Sequence, residues 1–140
     1  MSGAGRVLRV AVLYWAVVFA LGFVLGTFRV LWIAPALGLL PATALELPVM
    51  LAASWIASGW LLRHFGLRTG GEALAAGLLA FVLLMAAECA LAAVLASQSP
   101  AQWLAGLAAP HAALGLAGQV VFALLPWWRV RAGPAQGDPD

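Results

Sequence analysis

The chain has 140 residues, 65% of them hydrophobic and only 9% charged, with a mean hydropathy of +1.04. So little charge cannot cover the surface of a soluble domain, and all the basic charge is arginine, because lysine is absent. This composition excludes a nucleic-acid-binding face, and the single cysteine, Cys89, excludes an intrachain disulfide and a cysteine-based zinc cluster.

Four apolar stretches fill the chain, each long enough for a bilayer-spanning helix. The expected class is therefore an all-α membrane protein. The first predicted helix covers residues 7–30. Arg6 and Arg9 before an apolar run resemble a signal peptide. The run is longer than a signal's apolar region and no small-residue cleavage site follows it, so a retained first helix is expected. Gly22 and Gly26 form a GxxxG in this helix, and Arg29 stands at its far end. Residues 31–41 are mostly apolar but contain Pro35, Gly38 and Pro41. They cannot form one regular helix, and are expected to fold on the membrane surface with Trp32 as an interfacial anchor.

The second predicted helix covers residues 44–62, the third 70–96 and the fourth 100–127. Thr43 with Glu46, Thr69 with Glu72, and Ser99 with Gln102 each match the capping box at these starts. In that motif the hydroxyl accepts from the amide three residues on, and the Glu or Gln reaches back to the cap amide. Pro100 falls at the first helical position, where its missing N–H costs nothing. Pro110 is expected to kink the fourth helix and to free a carbonyl that needs a partner. Residues 1–131 read as a single four-helix transmembrane domain, and residues 132–140 as a disordered polar tail.

Short connections force antiparallel neighbours, so the expected architecture is an up-down-up-down bundle. Arg6 and Arg9, then Arg63 and Arg68, then Arg129 and Arg131 all fall on one side of such a bundle. The positive-inside rule puts that side, with both termini, in the cytoplasm. The expected location is a bacterial inner membrane, crossed several times. Small residues at i, i+4 spacing (Ser54 and Ser58; Ala109, Ala113 and Ala117) serve either intramolecular packing or a homodimer seam.

Charge inside an apolar span is expensive, so the remaining polar residues carry the information. Arg29 and Glu46 lie near the side away from the termini. Glu88 lies roughly 27 Å along the third helix from its start, at 1.5 Å per residue. His111 stands in the same half of the fourth helix. One cluster of Arg29, Glu46, Glu88 and His111 in the outer half of the bundle is therefore expected. Each has a structural reading beside the functional one. Glu46 is explained by its capping box, Arg29 by snorkelling to the headgroups, and His111 by a bond to a backbone carbonyl. Glu88 is too far from either helix end to snorkel, so it must be paired, with Arg29 the candidate partner, or hold a proton.

No phosphate-binding loop, zinc-protease motif or serine-hydrolase elbow is present. His64 and His111 fall on opposite sides and cannot share a haem iron. No metal or other cofactor is expected. Three functions compete. The first is a non-enzymatic structural or accessory membrane protein, whose charges fix helix register and whose partners are the bilayer and a second copy or another membrane protein. The second is a small proton- or ion-coupled transporter or channel using Glu88. The third is a membrane enzyme acting on a lipid or quinone with Glu88 and His111 as acid and base; it lacks a nucleophile and ranks last.

The stretch from Gly26 through Arg29 to Pro35, then Leu45 to Leu51, the pair Ala87-Glu88, and Phe122 to Pro126 carry a likeness across most of the chain. In these the chain resembles a group of small four-helix bacterial inner-membrane proteins with no assigned activity. The resemblance implies that Arg29, Glu46 and Glu88 belong to the group's pattern. It implies no substrate, cofactor or reaction.

Overall fold

Apolar runs rich in alanine and leucine favour helix and leave few polar side chains to compete for the backbone. The computed structural model describes residues 2–133, and every regular element among them is helical. Helix α1, Gly3–Phe28, is capped by Ser2, whose hydroxyl accepts from the Gly5 amide at 3.1 Å. It does not end at residue 30. The backbone passes through a π-helical turn, Arg29–Ile33, into α2, Ala34–Leu37, so one helical run of 35 residues spans Gly3–Leu37. Gly38 stops it with φ at 90°, a conformation that side-chain-bearing residues rarely take.

Helix α3, Leu39–Phe65, starts at the next residue. The expected start at residue 44 is therefore corrected, and with it the role of Thr43. Gly38 already makes the break, so Thr43 falls inside the helix and donates to the Leu39 carbonyl at 2.8 Å. Pro41 sits in the first turn, where amides have no helical partner anyway. At the other end Gly66, φ 68°, closes a Schellman motif. Its amide donates to the Arg63 carbonyl at 3.3 Å, and Leu67 donates to Leu62 at 3.0 Å. Leu62 and Leu67 are both buried in the core.

Helix α4, Gly70–Ala96, has the bounds read from the sequence. Thr69 caps it by accepting from the Glu72 amide at 3.2 Å, while the Glu72 carboxylate turns to Arg6 at 3.7 Å instead of closing the box. Ser99 and Gln102 form both bonds of theirs, at 3.2 and 2.8 Å. The helix they start is short: α5 covers Pro100–Gly106, and α6 covers Pro110–Ala132. The expected kink at Pro110 is thus a full break. Pro110 has no N–H to offer the Gly106 carbonyl, and the Ala109 amide donates to that oxygen at 3.2 Å. The expectation of a disordered tail falls mainly on residues 134–140, outside the described residues; Ala132 is still helical.

Four of the helical segments are long and apolar enough to cross a membrane: Gly3–Leu37, Leu39–Phe65, Gly70–Ala96 and Pro110–Ala132. Their outward faces carry large apolar side chains, among them Ile56, Val82 and Val94. Helices α1 and α6 each pack on both α3 and α4, so the four segments form a ring in which α1 and α6 lie across a diagonal. Tyr14 spans that diagonal. It is fully buried, stacks on Phe122 with ring centroids 4.2 Å apart, and its hydroxyl donates to the Phe122 carbonyl at 2.7 Å. Phe122 is four residues before Pro126, so its carbonyl is the one that Pro126 cannot serve. A side chain of the first helix replaces the bond lost in the last.

Around Tyr14 the bundle is closely packed. Val10, Ala11, Val18, Leu61, Ala73, Ala76, Ala80, Leu84 and Phe122 form one core. Gly77 lets α4 approach the Ala123 carbonyl of α6 so closely that a methyl group there would strike it. Ser54 and Ser58 are buried, and their hydroxyls donate to the Met50 and Trp55 carbonyls at 2.7 and 3.1 Å. The basic residues collect at this end. Arg6 reaches the Gly66 carbonyl at 3.3 Å, Arg129 lies over the Trp55 ring at 4.2 Å, and Arg131 over Trp127 at 4.8 Å.

Candidate functional site

The other half of the bundle is hollow. A cavity of about 900 Å³ lies between α1, α3, α4 and α6, with Trp103 and Leu107 at its margin. Its walls are mainly apolar, and its few ionisable or amide groups are informative. Arg29, Glu46, Glu88 and His111 all line it, and so do Gln119 and Gln98.

Each polar group reaches the cavity for a local reason. Arg29 opens the π-helical turn at the end of α1. Its Nη1 donates to Glu46 Oε2 at 2.9 Å, joining α1 to α3, with side-chain exposures of 30% and 14%. Glu46 is therefore an ion-pair partner, and its explanation as half of a capping box is corrected along with Thr43. Glu88, in the last third of α4, accepts a hydrogen bond from Gln119 Nε2 of α6. The expected Arg29–Glu88 pair is not formed: Arg29 spends its hydrogen bond on Glu46, and among the described residues Glu88 makes no salt bridge. His111 is the second residue of α6, beside the break at Pro110, and faces the same cavity.

Gln119 is the member that the sequence expectation left out. It is the only polar side chain between His111 and Trp127, and a lone amide in an apolar helix needs a partner. That reasoning points to Glu88 as the acceptor. Of the helix caps, Thr69 and Ser99 serve the starts of α4 and α5, Thr43 serves none, and none of the three belongs to the polar pairs. Gly22 and Gly26 face inward: a methyl group on Gly22 would meet the Met50 side chain at 3.2 Å, and both glycines line the cavity. Among the described residues no three of His, Cys, Asp and Glu converge as a metal ion would require.

The arrangement has two chemical capacities. The Arg29–Glu46 pair is neutral overall and ties two helices together. Glu88 offers a carboxyl group held by one amide, next to open space, with no cation bonded to it. Comparison with protein-family models, with curated proteins and with solved structures finds no match.

Proposed function

We propose that this chain is a non-enzymatic protein of a bacterial inner membrane that crosses the bilayer four times, up-down-up-down, with both termini in the cytoplasm. It acts as a structural or accessory component whose polar residues fix the register of its helices. One observation carries this reading: the polar groups of the hollow half are used between helices, Arg29 of α1 with Glu46 of α3, and Glu88 of α4 with Gln119 of α6. Each bond pins one neighbouring pair of the ring, and buried polar pairs of this kind specify packing more than they stabilise it. The orientation is supported by arginine. Arg6, Arg9, Arg63, Arg68, Arg129 and Arg131 sit at or beside the three chain regions that meet at the packed end, and positive charge is retained on the cytoplasmic side.

Reporter fusions test the topology: fluorescent protein fused after Ala132 should fluoresce, and alkaline phosphatase inserted at Gln98 should be active. The opposite pattern would overturn the orientation. Affinity purification from native membranes should recover a stable membrane-protein partner or a second copy. Proton-coupled flux in liposomes of the pure protein would exclude a purely structural account.

A second reading, a small proton- or ion-coupled transporter, is favoured by one feature: the cavity lies directly beside a carboxyl group without a cationic partner. Loss of flux in Glu88→Gln would support it.

A further inference from the structure

We propose that the cavity in the hollow half binds an amphipathic organic cation, with Glu88 as its counter-ion. This rests on the reading of the chain as membrane-spanning and goes beyond the pairing role given to the polar residues.

The volume comes first. About 900 Å³ lies within the range of small-molecule sites, roughly 300–1,000 Å³, and such sites combine apolar walls with a few placed polar groups. The balance of charge then selects the ligand. The cavity is lined by one arginine, Arg29, and two carboxylates, Glu46 and Glu88. Arg29 and Glu46 neutralise each other at 2.9 Å. The carboxylate left over is Glu88, bonded to the neutral amide of Gln119, and His111 is the other titratable side chain in the wall.

An anionic ligand would face that carboxylate with the one guanidinium already engaged. A wholly apolar ligand would dry the cavity around Glu88 and leave the carboxyl with a single hydrogen bond, a costly state. A monocation instead supplies the missing charge. The walls suit its body as well: Phe19, Phe23, Trp103 and Phe122 line the cavity, and aromatic faces attract organic cations. The cation is held by Glu88 as the carboxylate; where the carboxyl carries a proton beforehand, its O–H bond breaks and the proton passes to water as the cation enters.

The test uses the full chain in dodecylmaltoside micelles and tetraphenylphosphonium as probe. Trp103 fluorescence is the readout, obtained as the difference from Trp103→Phe. Saturable quenching is expected. Tetraphenylborate, of the same shape and opposite charge, should give none. Glu88→Asp keeps the charge and should retain binding, while Glu88→Gln should weaken it about tenfold or more. Gly115 faces open space in the cavity wall, so Gly115→Phe should block binding with Glu88 intact, which keeps the proposal testable if Glu88→Gln does not fold. No saturable quenching, equal binding of tetraphenylborate, or unchanged binding in Glu88→Gln or Gly115→Phe would each overturn the site. A chain that left the membrane fraction without detergent would overturn the membrane reading beneath it; failure to bind in correctly inserted protein overturns the site alone.

Discussion

Replacing Tyr14 with phenylalanine removes one oxygen atom from the centre of the bundle and keeps the ring stacked on Phe122. The Phe122 carbonyl then loses its only side-chain donor, because Pro126 has no N–H for it. Hydrogen bonds between membrane helices average about 0.6 kcal/mol, and a buried group left without any partner costs about 1–3 kcal/mol. The carbonyl is fully buried here with no backbone alternative, so a loss of about 1–2 kcal/mol is expected. The decisive measurement is a double-mutant cycle. Pro126→Ala restores a backbone donor to the Phe122 oxygen, so Tyr14→Phe in that background should cost only a few tenths of a kcal/mol. Equilibrium unfolding in mixed detergent micelles, followed by far-ultraviolet circular dichroism, gives all four stabilities. The coupling should reach about 0.7–1.7 kcal/mol, above the scatter of additive sites. If Tyr14→Phe costs the same with and without Pro126, the hydroxyl does not replace the bond that proline lost, and the reasoning fails.

Other substitutions probe the two halves separately. Gly77→Ala should lower stability by about 1–3 kcal/mol, since its methyl group strikes the Ala123 carbonyl; Gly115→Ala, with nothing within 4 Å, should be neutral or gain up to about 1 kcal/mol from helix propensity, both read from thermal melts. Arg29→Ala or Glu46→Ala should cost about 1–3 kcal/mol, less than the ~3–5 of a fully buried pair because Arg29 is 30% exposed, and the double variant should lose less than the sum. Glu88→Gln should melt within about 0.5 kcal/mol of the native protein, because the Gln119 amide still finds a carbonyl oxygen at position 88; a sharp drop would restore an Arg29–Glu88 ion pair as the dominant contact. Gly59→Ala should push Arg129 off the Trp55 ring, seen as a change in near-ultraviolet circular dichroism.

Where a helix begins and ends was legible when the signal was local. Ser99 with Gln102 and Thr69 with Glu72 stand directly before apolar runs, and the structure uses both hydroxyls as caps. Thr43 with Glu46 has the same spelling and no such role. The information that cancels it lies five residues earlier at Gly38, and a glycine beside two prolines does not say which of the three makes the break. Pro41 turns out to lie in the first turn of α3, where proline is harmless, and Pro35 lies just after the π-helical turn inside the continuous first run. Pro110 shows the converse: its missing N–H suggested a kink, and the chain instead breaks over residues 107–109, where the Ala109 amide takes the Gly106 carbonyl. The polar cluster was legible in depth, because height along a helix follows from counting residues. Its pairing was not legible, because a partner is chosen by rotation about the helix axis. Arg29 could reach either carboxylate by level, and only the packing of α1 on α3 directs it to Glu46. The cavity itself had no signature, since empty space is a property of how side chains on four helices meet.

The contact between Tyr14 and Phe122 also sets an order of events during synthesis. The two residues are 108 positions apart, so the ribosome releases the tyrosine long before its acceptor exists. Until α6 emerges, the hydroxyl lacks that acceptor. The ring can therefore close around Tyr14 only when the last helix arrives. A nascent chain halted before residue 122 should hold three helices in a loose, protease-sensitive association, and gain resistance in one step once Phe122 and Pro126 have left the exit tunnel.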